Sequence, residues 1–407
     1  MHCVWLDFDS NSDGNLDSVM LFLRRARELH PLYSIRVISK WDDCISAIDR
    51  PWIRSIVENK NIGAAHRSDV LRFYYLYTHG GVWIDISTFF VSSVDELVEK
   101  NGSGFTCFYI PSDIGQSWMV KPVSALYDLV SLEQFNAVVS ELSSGMSARY
   151  AHFPYVPENY FLISAPKHPI VLKVLRMFKS FYGTADLSSK DKVRTANCRY
   201  TFELFISVFS TNSGIPQRVA DRMNGRSYSD STDALLSGVF DGGYLFNYLM
   251  LLISIAEHTR DARVIVVPST TRATVVKETG GMGASMCRGN ACYDLEIRGT
   301  GVRLLSASYS RLGKWSDNIE QRISWEGTVA GRIIFGAASL REACERLSAI
   351  GIHQLKFGSW TRNSPVVQKL SSLSGLSFGV CIRKWQSCWQ SSHAHSKHQS
   401  RPRRPPR

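Results

Sequence analysis

The sequence predicts an α/β fold, a mixed sheet carrying helices. The first sign is the opening of the chain. HCVWLDF (2 to 8) is apolar and strand-like, and LDSVMLFLRRAREL (16 to 29) repeats Leu16, Val19, Met20, Leu23 and Ala26 on one helical face. SIRVISK (34 to 40) then alternates as a strand does. Strand, helix and strand in that order favour a parallel pair joined by a right-handed crossover. The second sign is AAHRSDVLRFYYLYTHGG (64 to 81), a helix with Val70, Leu71, Tyr74 and Tyr77 on its apolar face. Gly80 and Gly81 supply the positive-φ stop that helix ends favour, and VWIDISTFF (82 to 90) follows as a third strand.

The remaining elements follow the same pattern. GFTCFYI (104 to 110) reads as a fourth strand, residues 112 to 157 as a helical and irregular insertion, and NYFLISAP (159 to 166) as a strand. HPIVLKVLRMFKSFY (168 to 182) is a helix with Pro169 near its start, where proline is tolerated. Residues 195 to 260 are mostly helical and ARVIVVPS (262 to 269) is a short strand. Past the glycine-rich stretch TGGMGASMCRGN (279 to 290), VRLLSASYS and GRIIFGA read as short strands and LREACERLSAIG as a helix.

The chain has 407 residues, enough for one large domain with additions or for two, and its 44% hydrophobic and 20% charged content is that of a globular protein. The net charge of +11 is unevenly placed. Arg383, Lys384, Lys397, Arg401, Arg403, Arg404 and Arg407 give the segment 381 to 407 a charge of +7 with no acid. The basic character therefore belongs to a low-complexity tail, expected to be disordered, and does not argue for a nucleic-acid-binding body. Such a tail is drawn to anionic headgroups, so peripheral membrane contact through it is an expectation. The nine cysteines are scattered and odd in number, which fits reduced thiols in a cytosolic protein, and Cys287 and Cys292 have no partner cluster at zinc-ligand spacing. Met1 is followed by no basic n-region or long apolar h-region, and YLFNYLMLLISIA (244 to 256) is too short to span a bilayer and contains Asn247. A cytoplasmic protein with a buried helix at 244 to 256 is the expectation.

The chemistry gathers around Asp85. A carboxylate within a strand that otherwise reads as buried costs several kcal/mol unless it is paired. Three readings are open: a structural pair with an arginine, a strand that ends where chemistry begins, or a metal or ligand hydroxyl held there. On the preceding helix Asp69 and Arg72 are three apart and share a face. The tight Gly80–Gly81 turn brings them into Asp85's neighbourhood, at the carboxyl end of a strand, where open α/β sheets bind ligands.

Ala65, His66, Ser68, Asp69, Arg72, Gly80, Gly81, Trp83 and Asp85 fall in register with a known pattern. The stretch resembles the sugar-nucleotide-binding core of the glycosyltransferase family 32 group, most closely its capsular polysaccharide synthesis branch. ENYFLISAPKHPIV (158 to 171) is similar to the strand that follows in that group, and GIHQLKF (351 to 357) to a late segment. The resemblance implies a GT-A-like, Rossmann-like nucleotide-sugar-binding domain with helical insertions. It also implies retaining transfer of a sugar from a nucleotide donor, such as a UDP-sugar, to a glycan or polysaccharide acceptor, assisted by Mn²⁺ or Mg²⁺. Carried over by position, Asp69, Arg72 and Asp85 are the catalytic candidates. Trp5, Ser68, Asp69, Arg72, Gly81, Asp85 and Ser87 would bind the donor, Glu158 and Asn159 would face the acceptor, and Asp85, Ser87 and His353 would hold the metal. One position departs from the D-x-D pattern: its second acid is Ser87 here, a weaker ligand than a carboxylate. That departure keeps a second expectation open, a non-catalytic relative that binds sugar nucleotide or glycan. The division expected is a transferase core over 1 to 275, an extension over 276 to 380 completing the donor site, and the basic tail over 381 to 407.

Overall fold

The computed structural model describes residues 1–4, 13–38, 45–101, 104–110, 156–209, 244–268, 272–277, 293–311, 329–350, 352–357 and 365–375. Trp5, most of the expected insertion, the glycine-rich stretch at 279 to 290 and the basic tail lie outside them.

In chain order the first half gives β1 (His2–Val4), α1 (Asp13–Leu29), β2 (Arg36–Ile38), α2 (Arg50–Val57), α3 (Ala64–His79), β3 (Gly81–Ile84), β4 (Thr88–Phe90), α4 (Asp95–Asn101) and β5 (Phe105–Ile110). The second gives β6 (Val156–Ser164), α5 (Pro169–Thr184), α6 (Lys190–Phe209), α7 (Tyr244–His258), β7 (Val264–Pro268), β8 (Arg272–Lys277), β9 (Tyr293–Ile297) and β10 (Val302–Arg311). The chain continues through α8 (Val329–Gly336), α9 (Leu340–Ala349), β11 (Ile352–Phe357) and α10 (Pro365–Leu373).

The fold is α/β. The strands form one path in the order β2-β1-β3-β6-β5-β10-β8-β11-β4, with β9 on β10 and β7 on β9. β1 runs parallel to β2 and to β3, as the β-α-β opening requires. β10 is long enough to serve two neighbours of the path in succession, Val302–Ser306 pairing with β5 and Ala307–Arg311 with β8, beside its pairing with β9. β11 then carries the path to β4 at the far edge. Strands from beyond residue 275 thus run within the same sheet path as the N-terminal ones.

Two sequence expectations are corrected. VWIDISTFF is not one strand. Asp85, Ile86 and Ser87 form a turn, closed by the Thr88 N–H donating to the Asp85 carbonyl at 3.0 Å, and the chain passes there from β3, third in the path, to β4, the last. A one-strand reading fails because β3 and β4 find different partners, β6 and β11. GRIIFGA is helix rather than strand: Ala330, Ile333, Ile334 and Ala337 are buried at helical spacing.

The core lies on both faces of the central strands. Trp83, Leu162 and Leu304 face α3, α5 and α7, while Val82, Ile84, Phe108, Ile163 and Leu305 face the other way. α1 and α8 to α10 bury Phe89 and Leu355 of the edge pair. Arg25 of α1 donates to the carbonyls of Phe90 (3.1 Å) and Val91 (2.9 Å), which satisfies backbone acceptors that an edge strand would leave open. α7 is the buried helix expected at 244 to 256, and no described helix is long and apolar enough to cross a membrane.

Gly80 joins α3 to β3 with φ +64° and ψ −158°, a backbone setting that essentially only glycine adopts. A Cβ there would lie 2.6 Å from the Pro166 ring and 2.9 Å from the Ser164 carbonyl oxygen. Gly80→Ala should therefore lower the urea midpoint by an amount worth about 1–3 kcal/mol from backbone strain, with the clash adding to it. A second expectation concerns His168. Its Nδ1 accepts the Ile170 N–H and so caps α5, and its ring lies edge-on to His258 at 5.4 Å. Burial, helped by His258, pushes His168 down to about 4 from an ordinary 6.5. The unfolded chain binds this proton first, so stability is complete above about pH 6.5 and is lost as the pH falls toward 4. Thermal melts across that window should show a flatter slope for His168→Asn, which keeps a capping acceptor but does not titrate.

Candidate active site

The site is assembled from α3, the β3–β4 turn and β6. Asp69 and Arg72 face inward from α3 and are 5% and 4% exposed. One turn of backbone past Gly80, Trp83 places its ring 5.4 Å from the Arg72 guanidinium carbon, a cation–π distance. The Asp85 N–H donates to the Tyr160 carbonyl at 2.8 Å and so ties the turn to β6. The Asp85 side chain is 28% exposed, which makes it the carboxylate of the group that meets solvent.

Arg72 joins the two acids. Its Nη2 lies 2.8 Å from Asp85 Oδ1 and its Nη1 lies 3.1 Å from Asp69 Oδ1. Nη1 also donates to the Asn159 carbonyl at 2.6 Å. Asn159 reaches back with its side chain, Nδ2 to Asp69 Oδ1 at 3.5 Å, and Asn247 Nδ2 of α7 donates to Asp69 Oδ2. Asn159 is available because β6 bulges. Between the pairs Cys107↔Leu162 and Tyr109↔Pro157, β5 advances two residues and β6 five. Such bulges re-aim backbone and side chains and are common beside active sites. Glu158, in the same bulge, is buried and accepts from the Tyr248 hydroxyl at 3.1 Å.

One guanidinium cannot neutralise two carboxylates, and the deeper of the two bears the cost. Burial pushes Asp69 up to about 7; Arg72 and the Asn247 hydrogen bond pull the other way, and Asp85 adds to the rise.

Of the other residues expected at the site, Ser68 is half-buried beside Asp69 on α3, and Gly81 opens β3 with φ +91°. Ser87 is half-buried within the turn. The structure does not bring His353 to Asp85 and Ser87. Its carbonyl accepts the N–H groups of Val91 (2.9 Å) and Ser92 (3.3 Å), and its Nδ1 lies 2.5 Å from Ser92 Oγ. Pairing of β11 with β4 thus sets the His353 backbone past Phe90, at the end of β4 away from Ser87. No group of three or more His, Cys, Asp or Glu suited to a metal exists among the described residues. Asn247 and Tyr248 are the members that sequence reasoning passed over; Trp83 stood in the matched pattern without a role, and the structure sets its ring against Arg72. The signal for the first was a lone asparagine in an otherwise apolar run, read as evidence against a membrane span.

A raised carboxyl has a sign that can be tested. Between about pH 4 and pH 7 the folded chain holds a proton on Asp69 that the unfolded chain has released, so stability falls as the pH rises through that window and levels off above it. The limit for one proton is about 1.4 kcal/mol per pH unit. Asp69→Asn should remove this component from urea titrations run between pH 4.5 and 8, and an unchanged slope would mean that Asp69 is ionised throughout.

A comparison with curated proteins found no match. Among solved structures the chain is similar to "PaToxG Glycosyltransferase", at 13% identity over 60% of this chain and 84% of that one, with a TM-score of 0.25, too low to carry weight. Residues 50–205, which run from α2 into α6 and hold Asp69, Arg72, Asp85, Glu158 and Asn159, match the family described as Capsular polysaccharide synthesis protein.

Proposed function

We propose that this protein is a retaining glycosyltransferase with a GT-A-like donor site, moving a sugar from a nucleotide-sugar, a UDP-sugar in the first instance, to a glycan or polysaccharide acceptor. The observation that carries the reading is the 2.8 Å pairing of a partly exposed Asp85 with a buried Arg72 at the carboxyl end of β3. That is where an α/β sheet offers a ligand its first contact. The family match over the same residues supports the transferase class.

In the transfer, the bond from the anomeric carbon to the diphosphate oxygen breaks, and the nucleoside diphosphate leaves with the electron pair. A bond from the acceptor hydroxyl oxygen to the anomeric carbon forms, and the hydroxyl proton passes to the departing diphosphate oxygen. Asp85 is the residue that meets the donor. Arg72 fixes the direction of the Asp85 carboxylate, and Asp69 fixes Arg72, so the site is set before substrate arrives. The implied Mn²⁺ or Mg²⁺ fits in a limited way. Asp85 and Ser87 would hold it, with substrate phosphates and water completing an oxygen shell as is common for Mg²⁺, and it would stabilise negative charge on the leaving diphosphate.

A second reading has its own observation. Ser87 replaces an acid, and no three-ligand group exists among the described residues. A protein that binds sugar nucleotide or glycan without transferring it would show these features.

Turnover and binding of UDP-, GDP- and CMP-sugars, with and without Mn²⁺, separate the two. A transferase gives metal-stimulated turnover of one donor, and Asp85→Asn lowers it about 10²–10³-fold, the scale of losing one preorganised electrostatic group. Binding without turnover at any acceptor supports the second reading, and no binding to any donor rejects both. Ser87→Asp should lower the Mn²⁺ concentration needed for half-maximal activity; an unchanged value would mean that this side chain points away from the diphosphate.

A further inference from the structure

α7 is buried and apolar nearly all round, with Leu249, Met250, Leu251, Leu252, Ile253 and Ile255 all in the core. Asn247 breaks that pattern while being only 2% exposed. A buried amide costs several kcal/mol unless it is hydrogen-bonded, so its position calls for a physical reason. The reason is across the fold: Asn247 Nδ2 donates to Asp69 Oδ2. Its neighbour Tyr248 donates to Glu158 Oε2 at 3.1 Å. Ser254, buried on the same helix, behaves differently. Its hydroxyl turns back to the Met250 carbonyl at 2.7 Å and touches nothing in the site.

We propose that Asn247 and Tyr248 are a positioning pair that aims the Asp85 carboxylate from behind. Arg72 is the intermediary. Two acceptors hold its Nη1, Asp69 Oδ1 and the Asn159 carbonyl, while Nη2 grips Asp85. Each of those acceptors is tied to α7. Asn247 takes the second oxygen of Asp69, so that with Asn159 and Arg72 on the first oxygen the carboxylate plane cannot turn. Tyr248 anchors Glu158, the bulge residue next to Asn159. A helix beyond the end of the family match at residue 205 therefore sets the geometry of residues inside it. The consequence for turnover rests on the transferase reading; the mechanical coupling does not.

Two measurements on the full chain test this. The first is hydrogen exchange at the Asp85 amide, which donates to the Tyr160 carbonyl. Asn247→Leu and Tyr248→Phe should each speed it about tenfold, as loss of local protection does, while Ser254→Ala leaves it unchanged. The second is kinetics with the donor found by the panel. Both variants should lower kcat about 10–100-fold with donor KM moving less than about threefold, because alignment is lost rather than binding. Tyr248→Phe removes a single oxygen and guards against the chance that Asn247→Leu fails to fold. Unchanged exchange at Asp85 in both variants overturns the proposal whatever the activity. Faster exchange with normal kcat overturns it as well. Faster exchange in a protein that turns over no donor upholds the positioning pair and rejects the transferase reading instead.

Discussion

The arrangement depends on one cation shared between two acids. Arg72 is buried, and a buried guanidinium is tolerable only with compensating charge and hydrogen bonds. Asp69 supplies an acceptor from one side and the Asn159 carbonyl another, with the Trp83 ring below and Asp85 as the second acid. The bond left over, Nη2 to Asp85, reaches outward to a carboxylate that solvent can touch. The pair is thus asymmetric. Asp69 is the interior acid, pushed toward neutrality by burial, and Asp85 is the one that meets solvent.

The sheet explains why such a cluster can exist there. The chain turns at Asp85–Ser87 because β3 and β4 belong to distant places in the strand path, and a turn between them exposes the end of β3. The β6 bulge brings Asn159 to the same point. Gly80 allows α3 to deliver Asp69 and Arg72 with the tight connection that keeps them beside β3. Each is a local irregularity, and irregular backbone concentrates where proteins build sites.

Much of this was legible in the sequence. The helix at 64–79, its glycine stop and the i, i+3 placement of Asp69 and Arg72 follow from local periodicity, and Asp85 stood out as a charge among apolar residues. Of the three readings open for Asp85, the arginine partner is realised, and the strand does end there. What sequence could not give were the long-range pairings. The run VWIDISTFF has strand propensity throughout, and only the partners β6 and β11 divide it. The bulge depends on the register of β5 against β6, and the role of Asn247 on a contact spanning 178 positions. The helix at 329–336 departs from the strand expected there because a short apolar run fits either period. His353 was placed by resemblance to a late segment, and strand pairing sets it at the other end of β4.

The central claim is that Arg72 couples the interior acid cluster to the exposed carboxylate of the turn. A double-mutant cycle on stability, with Arg72→Met, Asp85→Asn and the pair, tests it most directly. The account predicts a coupling energy of at least about 1 kcal/mol, since the residues are in contact and one is buried. Additivity of the two substitutions to within about 0.5 kcal/mol would show that the 2.8 Å pair carries no energetic link and would contradict the account.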